Sequence, residues 1–245
     1  MSTQLSPNER AKYLCAEKAA EFVTSGMKVG LGTGSTAYWL VKHLGRKVRD
    51  EGLNIKGVPT SLKTSELAQS EGIPICSLDE AGWLDLTIDG ADEISPGFNL
   101  IKGGGGAHLR EKIVAMASDK MIVIADCSKK VAALGSFPLP LEVIRYGCES
   151  TKSQVVQYLT QNGYKDPNVM FRTSKGKRFI TDEGNFILDL QLNFISDECT
   201  LSNDLNLIPG VVENGLFVII CKCVVVADEN CQVTVDWKIN EDLTS

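Results

Sequence analysis

Three short stretches of the chain hold residue types that chemistry needs. Gly30-Leu31-Gly32-Thr33-Gly34-Ser35-Thr36 sets glycines, which turn tightly, among hydroxyl donors. A helix beginning there would add its first N–H groups and complete a cradle for a phosphate. The same residues also suit a plain strand-to-helix turn, and the motif alone does not choose between the two. Asp89-Gly90-Ala91-Asp92-Glu93 places three carboxylates within five residues, directly after an apolar run. That grouping suits acid/base work or metal binding. A solvated turn is the alternative, and it fits Glu93 better than Asp89. Lys102-Gly103-Gly104-Gly105-Gly106 then leads into Ala107-His108-Leu109-Arg110-Glu111-Lys112. Four consecutive glycines cost much chain entropy, which close approach of backbone to a ligand or another segment would justify. Glu111 falls one turn into the helix that the glycines open, although Arg110, Glu111 and Lys112 also read as solvated ion pairs. His108 reads as a polar residue near a helix start, and His43 as a surface residue of an earlier helix.

Composition narrows the chemistry further. With 245 residues, 43% hydrophobic and 23% charged, the chain is an ordinary globular one. Its net charge is -6 and no basic block is present, so nucleic acid is not an expected partner. Nor is a membrane, since no apolar run approaches the roughly 20 residues of a span. The most apolar stretch, 216–227, is interrupted by Lys222. The polar first residues show no secretory or transit pattern. Eight cysteines contain no Cys-x-x-Cys pair and only two histidines accompany them, so no metal is expected. Those cysteines read as buried, reduced thiols of a cytoplasmic protein, with Cys221 and Cys223 on one strand face. A dinucleotide site is disfavoured because Ser35 stands at the third glycine of G-x-G-x-x-G and no acidic residue ends the second strand. No Gly-Lys-Ser/Thr marks a P-loop. A hydroxyl cradle, a carboxylate cluster, a lysine and a helix-borne glutamate suit proton transfer beside the carbonyl of a small phosphorylated substrate, with no cofactor.

The elements that must position these groups are legible as periods. Ser6-Pro7-Asn8-Glu9 is a capping box opening a helix whose stripe is Ala11, Leu14, Cys15, Ala19, Phe22 and Val23. Strand 28–31, a second helix with Ala37, Leu40, Val41, Leu44 and Val48 on one face, strand 54–61 and helix 62–71 follow. Strands at 73–78 and 84–88, a helix at 107–118 and a strand at 121–125 complete an alternation that predicts a parallel sheet covered on both faces. Ligands of such sheets bind beyond the carboxyl ends of the strands, where the three stretches converge. After Leu134 the pattern changes. Phe137-Pro138-Leu139-Pro140 reads as an interdomain joint. Strands at 142–145, 168–173, 178–181 and 186–191, a turn at 182–185 and helices at 150–161 and 197–207 predict a small antiparallel α+β unit. Strands at 217–227 and 233–239 rejoin the first domain. The expected division is 1–134 plus 215–245 against 135–214.

Gly-Leu-Gly-Thr-Gly-Ser-Thr-Ala (30–37), Asp-Gly-Ala-Asp-Glu (89–93), Lys-Gly-Gly-Gly (102–105) with Arg-Glu-Lys (110–112), and Ala-Asp-Cys-Ser-Lys (125–129) occur in this order. Together with Phe137-Pro138-Leu139-Pro140 and Ile208-Pro209-Gly210-Val211-Val212, they resemble the type A ribose-5-phosphate isomerases over nearly the whole chain. The resemblance implies an α/β fold: a Rossmann-like parallel-sheet domain with a smaller, inserted ferredoxin-like α+β domain. It implies interconversion of D-ribose 5-phosphate and D-ribulose 5-phosphate in the non-oxidative pentose phosphate pathway, through an enediol, with no cofactor, in a cytoplasmic homodimer or homotetramer. Matched residue by residue, Glu111 stands at the general base, Asp89 and Asp92 at active-site carboxylates, and Lys102 beside the reacting carbons. Asp89 is implicated in ring opening. Thr33, Gly34, Ser35, Thr36, Gly90, Ala91, Gly103, Gly104, Gly105 and Lys129 stand at substrate-binding positions, and Lys12 matches a phosphate-facing residue by spacing alone. Gly106 and His108 depart from the pattern, which leaves the role of His108 open. Rivals of the same fold are a transferase forming a covalent glutamyl thioester with coenzyme A, a sugar-phosphate deaminase and a non-catalytic sugar-phosphate sensor. The sensor is disfavoured because the first fold helix opens at about Pro7, leaving no room for a DNA-binding helix-turn-helix.

Overall fold

The predicted periods resolve, in a computed structural model that describes residues 5–238, into seven helices and fifteen strands. In chain order they are α1 (Pro7–Ala20), β1 (Lys28–Leu31), α2 (Ser35–Glu51), β2 (Lys56–Pro59), α3 (Leu62–Ser70), α4 (Leu78–Ala81), β3 (Leu86–Asp89), β4 (Glu93–Ile94), β5 (Leu100–Ile101), α5 (His108–Met116), β6 (Met121–Asp126), β7 (Leu139–Val143), α6 (Cys148–Gln161), β8 (Asn168–Phe171), β9 (Thr173–Ser174), β10 (Lys177–Arg178), β11 (Phe186–Gln191), α7 (Glu198–Asn206), β12 (Val211–Asn214), β13 (Leu216–Phe217), β14 (Cys221–Ala227) and β15 (Val233–Trp237). The predicted end of the last strand, Ile239, lies outside the described residues. No described helix is long and apolar enough to cross a membrane.

The chain divides into two compact units. The first holds the described residues of Met1–Ala91, Ile113–Lys129 and Ile219–Ser245. Its sheet has the order β15-β14-β6-β3-β1-β2, parallel throughout except for β15. Strands β3 and β6 are buried at every position, as a sheet covered on both faces requires. The Ser6 hydroxyl caps α1 by accepting from the Glu9 N–H, and Ala11, Cys15, Ala16, Ala19 and Ala20 are buried on that helix. Leu14 and Phe22 stay half-buried against the same core.

Three expectations change here. No strand forms over 73–78: Pro74 has no N–H to give a ladder, only Ile75 bridges to Gly57, and Ser77 instead caps α4. His43 is buried, not on the surface. It lies three residues after Leu40 on the apolar face of α2, its ring 4.4 Å from that of Tyr13 and its Nε2 3.2 Å from the Tyr13 carbonyl. Cys15, Cys148, Cys221 and Cys223 are buried, but Cys76, Cys127 and Cys231 are half-buried and Cys199 is exposed. A register shift falls between Cys221 and Cys223, and burial raises the thiols of Cys15 and Cys221 to about 12.

The second unit comprises Asp92–Lys112 and Lys130–Val218. Its four-stranded sheet has the order β12-β7-β11-β8, all antiparallel. With α6 after β7 and α7 after β11, this is the β-α-β-β-α-β arrangement of a ferredoxin-like fold. A two-stranded ribbon of β9 and β10 is added between β8 and β11, and β13, β5 and β4 form a further small sheet. Leu139, Leu141, Val143, Val155, Leu159, Leu188, Leu190, Leu201 and Leu205 are buried in one core. The predicted joint at 137–140 is partly strand. Pro140 sits within β7, and its carbonyl accepts from Gly215, the residue just beyond the end of β12. The missing proline N–H therefore faces a place where the neighbouring strand has stopped.

Candidate active site

In the first unit the site begins where β1 and β3 end side by side. A side chain on Gly30 would fall 2.1 Å from the Thr87 hydroxyl, and one on Gly32 would fall 2.2 Å from Oδ1 of Asp89. Only glycine lets the two strand ends approach this closely. Asp89, the last residue of β3, is buried, and its Oδ1 accepts from the N–H groups of Thr33 at 3.0 Å and Gly90 at 2.7 Å. The carboxylate thus shapes the loop that carries Thr33. The Thr33 hydroxyl lies 2.8 Å from those of both Thr60 and Ser61 and 3.2 Å from that of Thr64. Thr60 and Ser61 follow β2, and Ser61 caps α3. This second hydroxyl loop was visible only as Thr60-Ser61 at the end of a predicted strand.

Gly34 occupies the cap of α2 at φ +115° with no side chain bonded to the helix N–H groups, and Ser35 and Thr36 open the helix. Gly34 and Ser35 are exposed. A helix start without acidic residues in its first turn favours an anion. Gly90 and Ala91 are half-buried. Lys129 ends a short 3-10 turn after β6, and Asp126 shapes that turn by accepting from the Ser128 N–H at 3.1 Å. Lys12 is paired with Glu9 at 2.9 Å.

In the second unit the glycine run bridges the end of β5 and the start of α5. Lys102 and Glu111 are both buried, with Nζ 3.4 Å from Oε2. The Lys102 ammonium lies 5.4 Å from the ring centre of Phe217, and the backbone N–H of Lys102 donates to the Gly215 carbonyl at 2.9 Å. Gly103 is left-handed at φ +103°, where a side chain would strike the His108 ring at 2.8 Å. The Gly104 N–H donates to Oδ2 of Asp92 at 2.7 Å, so two of the sequence-selected segments meet here. Gly104 and Gly105 are exposed.

The groups behind this run are structural and polar. His108 is fully buried, and burial drives its imidazole down to about 3, so it is neutral at ordinary pH and no base for the reaction. Its Nε2 lies 3.3 Å from the Glu213 carbonyl and 4.0 Å from Glu142. Burial raises Glu142, against hydrogen bonds from Asn185 and Thr181. Lys112 pairs with Glu213 at 2.8 Å and donates to the Asn214 carbonyl. Burial lowers that lysine despite Glu213, while burial of Glu213 is overcome by Lys112 together with hydrogen bonds from Asn206 and the Asn214 N–H, so its carboxyl lies low. Arg110 meets Asp182 and Glu183 as a partly exposed ion pair. Glu93 is not a solvated turn residue: it is buried and accepts from the N–H groups of Gly135 at 2.7 Å and Phe137 at 2.6 Å. Arg172, which no motif marked, also reaches the glycine run, and Asp189 is paired with it.

Residues 56–231 match the family model for ribose 5-phosphate isomerase A (phosphoriboisomerase A). The chain is 56% identical over 225 residues to ribose-5-phosphate isomerase A of Roseobacter denitrificans, covering 92% of this chain and 86% of that protein. The structure of ribose 5-phosphate isomerase A from Methanocaldococcus jannaschii is similar with a TM-score of 0.85 at 39% identity, over 94% of this chain and 99% of that one. A D-ribose-5-phosphate isomerase solved in complex with phospho-erythronic acid is similar with a TM-score of 0.87 at 37% identity, over 94% of this chain and 99% of that one.

Proposed function

This chain belongs to the ribose-5-phosphate isomerase A family and interconverts D-ribose 5-phosphate and D-ribulose 5-phosphate, and from that premise we propose a proton transfer between C1 and C2 with Glu111 as the base. The observation that carries the reading is the buried Lys102–Glu111 pair beside the glycine run. It combines a proton acceptor with a cationic donor in one buried place.

The cyclic sugar must first open. An active-site carboxyl group, Asp89 or Asp92, carries a proton between O1 and the ring oxygen, which frees the C1 aldehyde. Glu111 then takes the C2 proton. The C2–H electron pair becomes the C1–C2 double bond, and the carbonyl pair moves onto O1. Returning the proton to C1, while O2 gives up its own proton and O1 gains one, yields the ketose. A positioned base supplies about 10²- to 10⁴-fold. Donors aimed at the developing oxyanion supply about 3 to 4 kcal/mol more. Lys102 and the backbone N–H groups of Gly103 and Gly105 are suited to that task, the Gly104 N–H being taken by Asp92. Thr33, Gly34, Ser35, Thr36 and Lys129 are the residues we assign to the phosphate, and Gly90 and Ala91 are assigned to the substrate as well. Binding energy spent on the phosphate keeps the open chain in place while the reacting carbons change. The relative that binds phospho-erythronic acid, a phosphorylated sugar acid, supports this class of ligand.

Steady-state turnover of ribose 5-phosphate by Glu111→Gln tests the assignment. The expected result is a kcat lower by about 10²- to 10⁴-fold with little change in KM. Turnover near that of the unaltered enzyme would remove Glu111 from the chemical step. We also read the protein as a cytoplasmic enzyme of the pentose phosphate pathway that works as a homodimer or homotetramer. Sedimentation of a monomer at working concentration would overturn the last point.

A further inference from the structure

We infer that Arg172, fixed by Asp189, is a positioning residue that sets the direction of the glycine-run peptides used by the proposed reaction. The inference rests on the reading of Gly103 to Gly105 as substrate-facing backbone. Arg172 follows β8, and Asp189 lies on the paired strand β11 opposite Met170. The two side chains form a fork-to-carboxylate pair, with Nε 3.0 Å from Oδ2 and Nη2 bonded to Oδ1. The remaining nitrogen, Nη1, donates to the carbonyl of Gly103 at 2.7 Å and to that of Gly104 at 3.1 Å.

The Gly103 carbonyl and the Gly104 N–H belong to one peptide group. That group is therefore held at both ends, by Arg172 at its oxygen and by Asp92, 2.7 Å from its nitrogen. In a trans peptide, N–H and C=O point in opposite directions. Fixing the Gly104 carbonyl on Arg172 thus turns the Gly105 N–H away from the guanidinium. A run of four glycines has wide conformational freedom, so its donors gain direction from such tethers, added to the turn bond from the Gly106 N–H to the Gly103 carbonyl at 2.9 Å. Arginine suits the role because its planar fork can engage a carboxylate with two nitrogens and still present a third. Lysine has three donors on one nitrogen and cannot engage both Asp189 oxygens and both carbonyls at once.

The test compares kcat and KM of Arg172→Ala and Arg172→Lys on ribose 5-phosphate, with and without low, non-denaturing guanidinium chloride. Misplaced donors should lower kcat by about 10²-fold in Arg172→Ala while KM moves by less than about 3-fold. Added guanidinium ion should restore part of that kcat, and methylammonium chloride at the same concentration should not. Arg172→Lys should stay impaired although its charge is kept. A kcat within about 3-fold of the unaltered enzyme in Arg172→Ala overturns the inference. So does a lost kcat that guanidinium leaves unmoved, since a merely structural role predicts that. If Arg172→Ala fails to fold, Asp189→Asn gives the same reading: kcat must fall with KM held, or the inference fails. The outcome is separable from that for the reaction itself, because Glu111→Gln tests the base whatever Arg172 does.

Discussion

Asp89 has an architectural role that can be measured apart from the ring-opening role proposed for it or for Asp92. Oδ1 accepts from two backbone N–H groups and so holds the turn after β1 against the end of β3. An amide oxygen can accept the same two bonds. Asp89→Asn should therefore keep the loop and the stability within about 1 kcal/mol, while turnover falls because an amide cannot shuttle the ring-opening proton. Asp89→Ala removes the acceptor as well and should cost about 1 to 3 kcal/mol of stability. Urea midpoints and kcat for the two variants check this, and equal destabilisation by both would contradict the architectural role. At this scale the sequence was informative where a residue type is costly. Four glycines, a carboxylate at a strand end and a glutamate one turn into a helix each announce a reason for being there. Arg172 and Asp189 gave no such signal, because an arginine after one strand and an aspartate on another are ordinary until the strands pair. Thr60, Ser61 and Thr64 were hidden similarly, since hydroxyls are common at any helix start.

Elements longer than a turn were legible through their periods, and short ones were not. α2, α6 and β11 fall where the apolar spacing places them, while α1 starts as expected but ends at Ala20, before Phe22 and Val23 of its predicted stripe. Strands of two residues, such as β4, β5 and β13, contain no period to read. Their positions depend on tertiary anchors, and Glu93 is the clearest. This residue of β4 reads in sequence as part of a polar turn, yet its buried carboxylate receives the N–H groups of Gly135 and Phe137. Glu93→Ala would leave both donors without that acceptor in a buried setting. It should destabilise the protein by about 2 to 4 kcal/mol, a cost comparable to that of other buried, charge-assisted bonds. Urea unfolding measured alongside kcat at saturating substrate separates this from catalysis: stability should fall while turnover of the folded fraction stays within about 3-fold. A larger loss of turnover without loss of stability would move Glu93 into the reaction.

Over the whole molecule, both histidines are buried and held below their usual value by burial. The consequence is a definite pH dependence of stability. The unfolded chain binds a proton at each imidazole near pH 6.5, whereas folded His108 refuses it until about pH 3. Below pH 6.5 the unfolded state thus holds more protons, and stability falls with pH by up to about 1.4 kcal/mol per unit from His108 alone. His43 adds to the fall in the same direction. Glu213, whose carboxyl is lowered, adds its own loss at more acid pH, as the folded state releases its advantage below the usual carboxylate range. Glu142 acts oppositely: burial raises its carboxyl, so the folded state takes up that proton first and recovers part of the loss. Urea midpoints at pH 7.5, 6.5, 5.5 and 5.0 should therefore decline most steeply below pH 6.5. His108→Gln, which keeps a donor for the Glu213 carbonyl, should flatten most of that slope, and His43→Gln should flatten less. An unchanged slope in the double variant would place the acid sensitivity in the carboxylates instead.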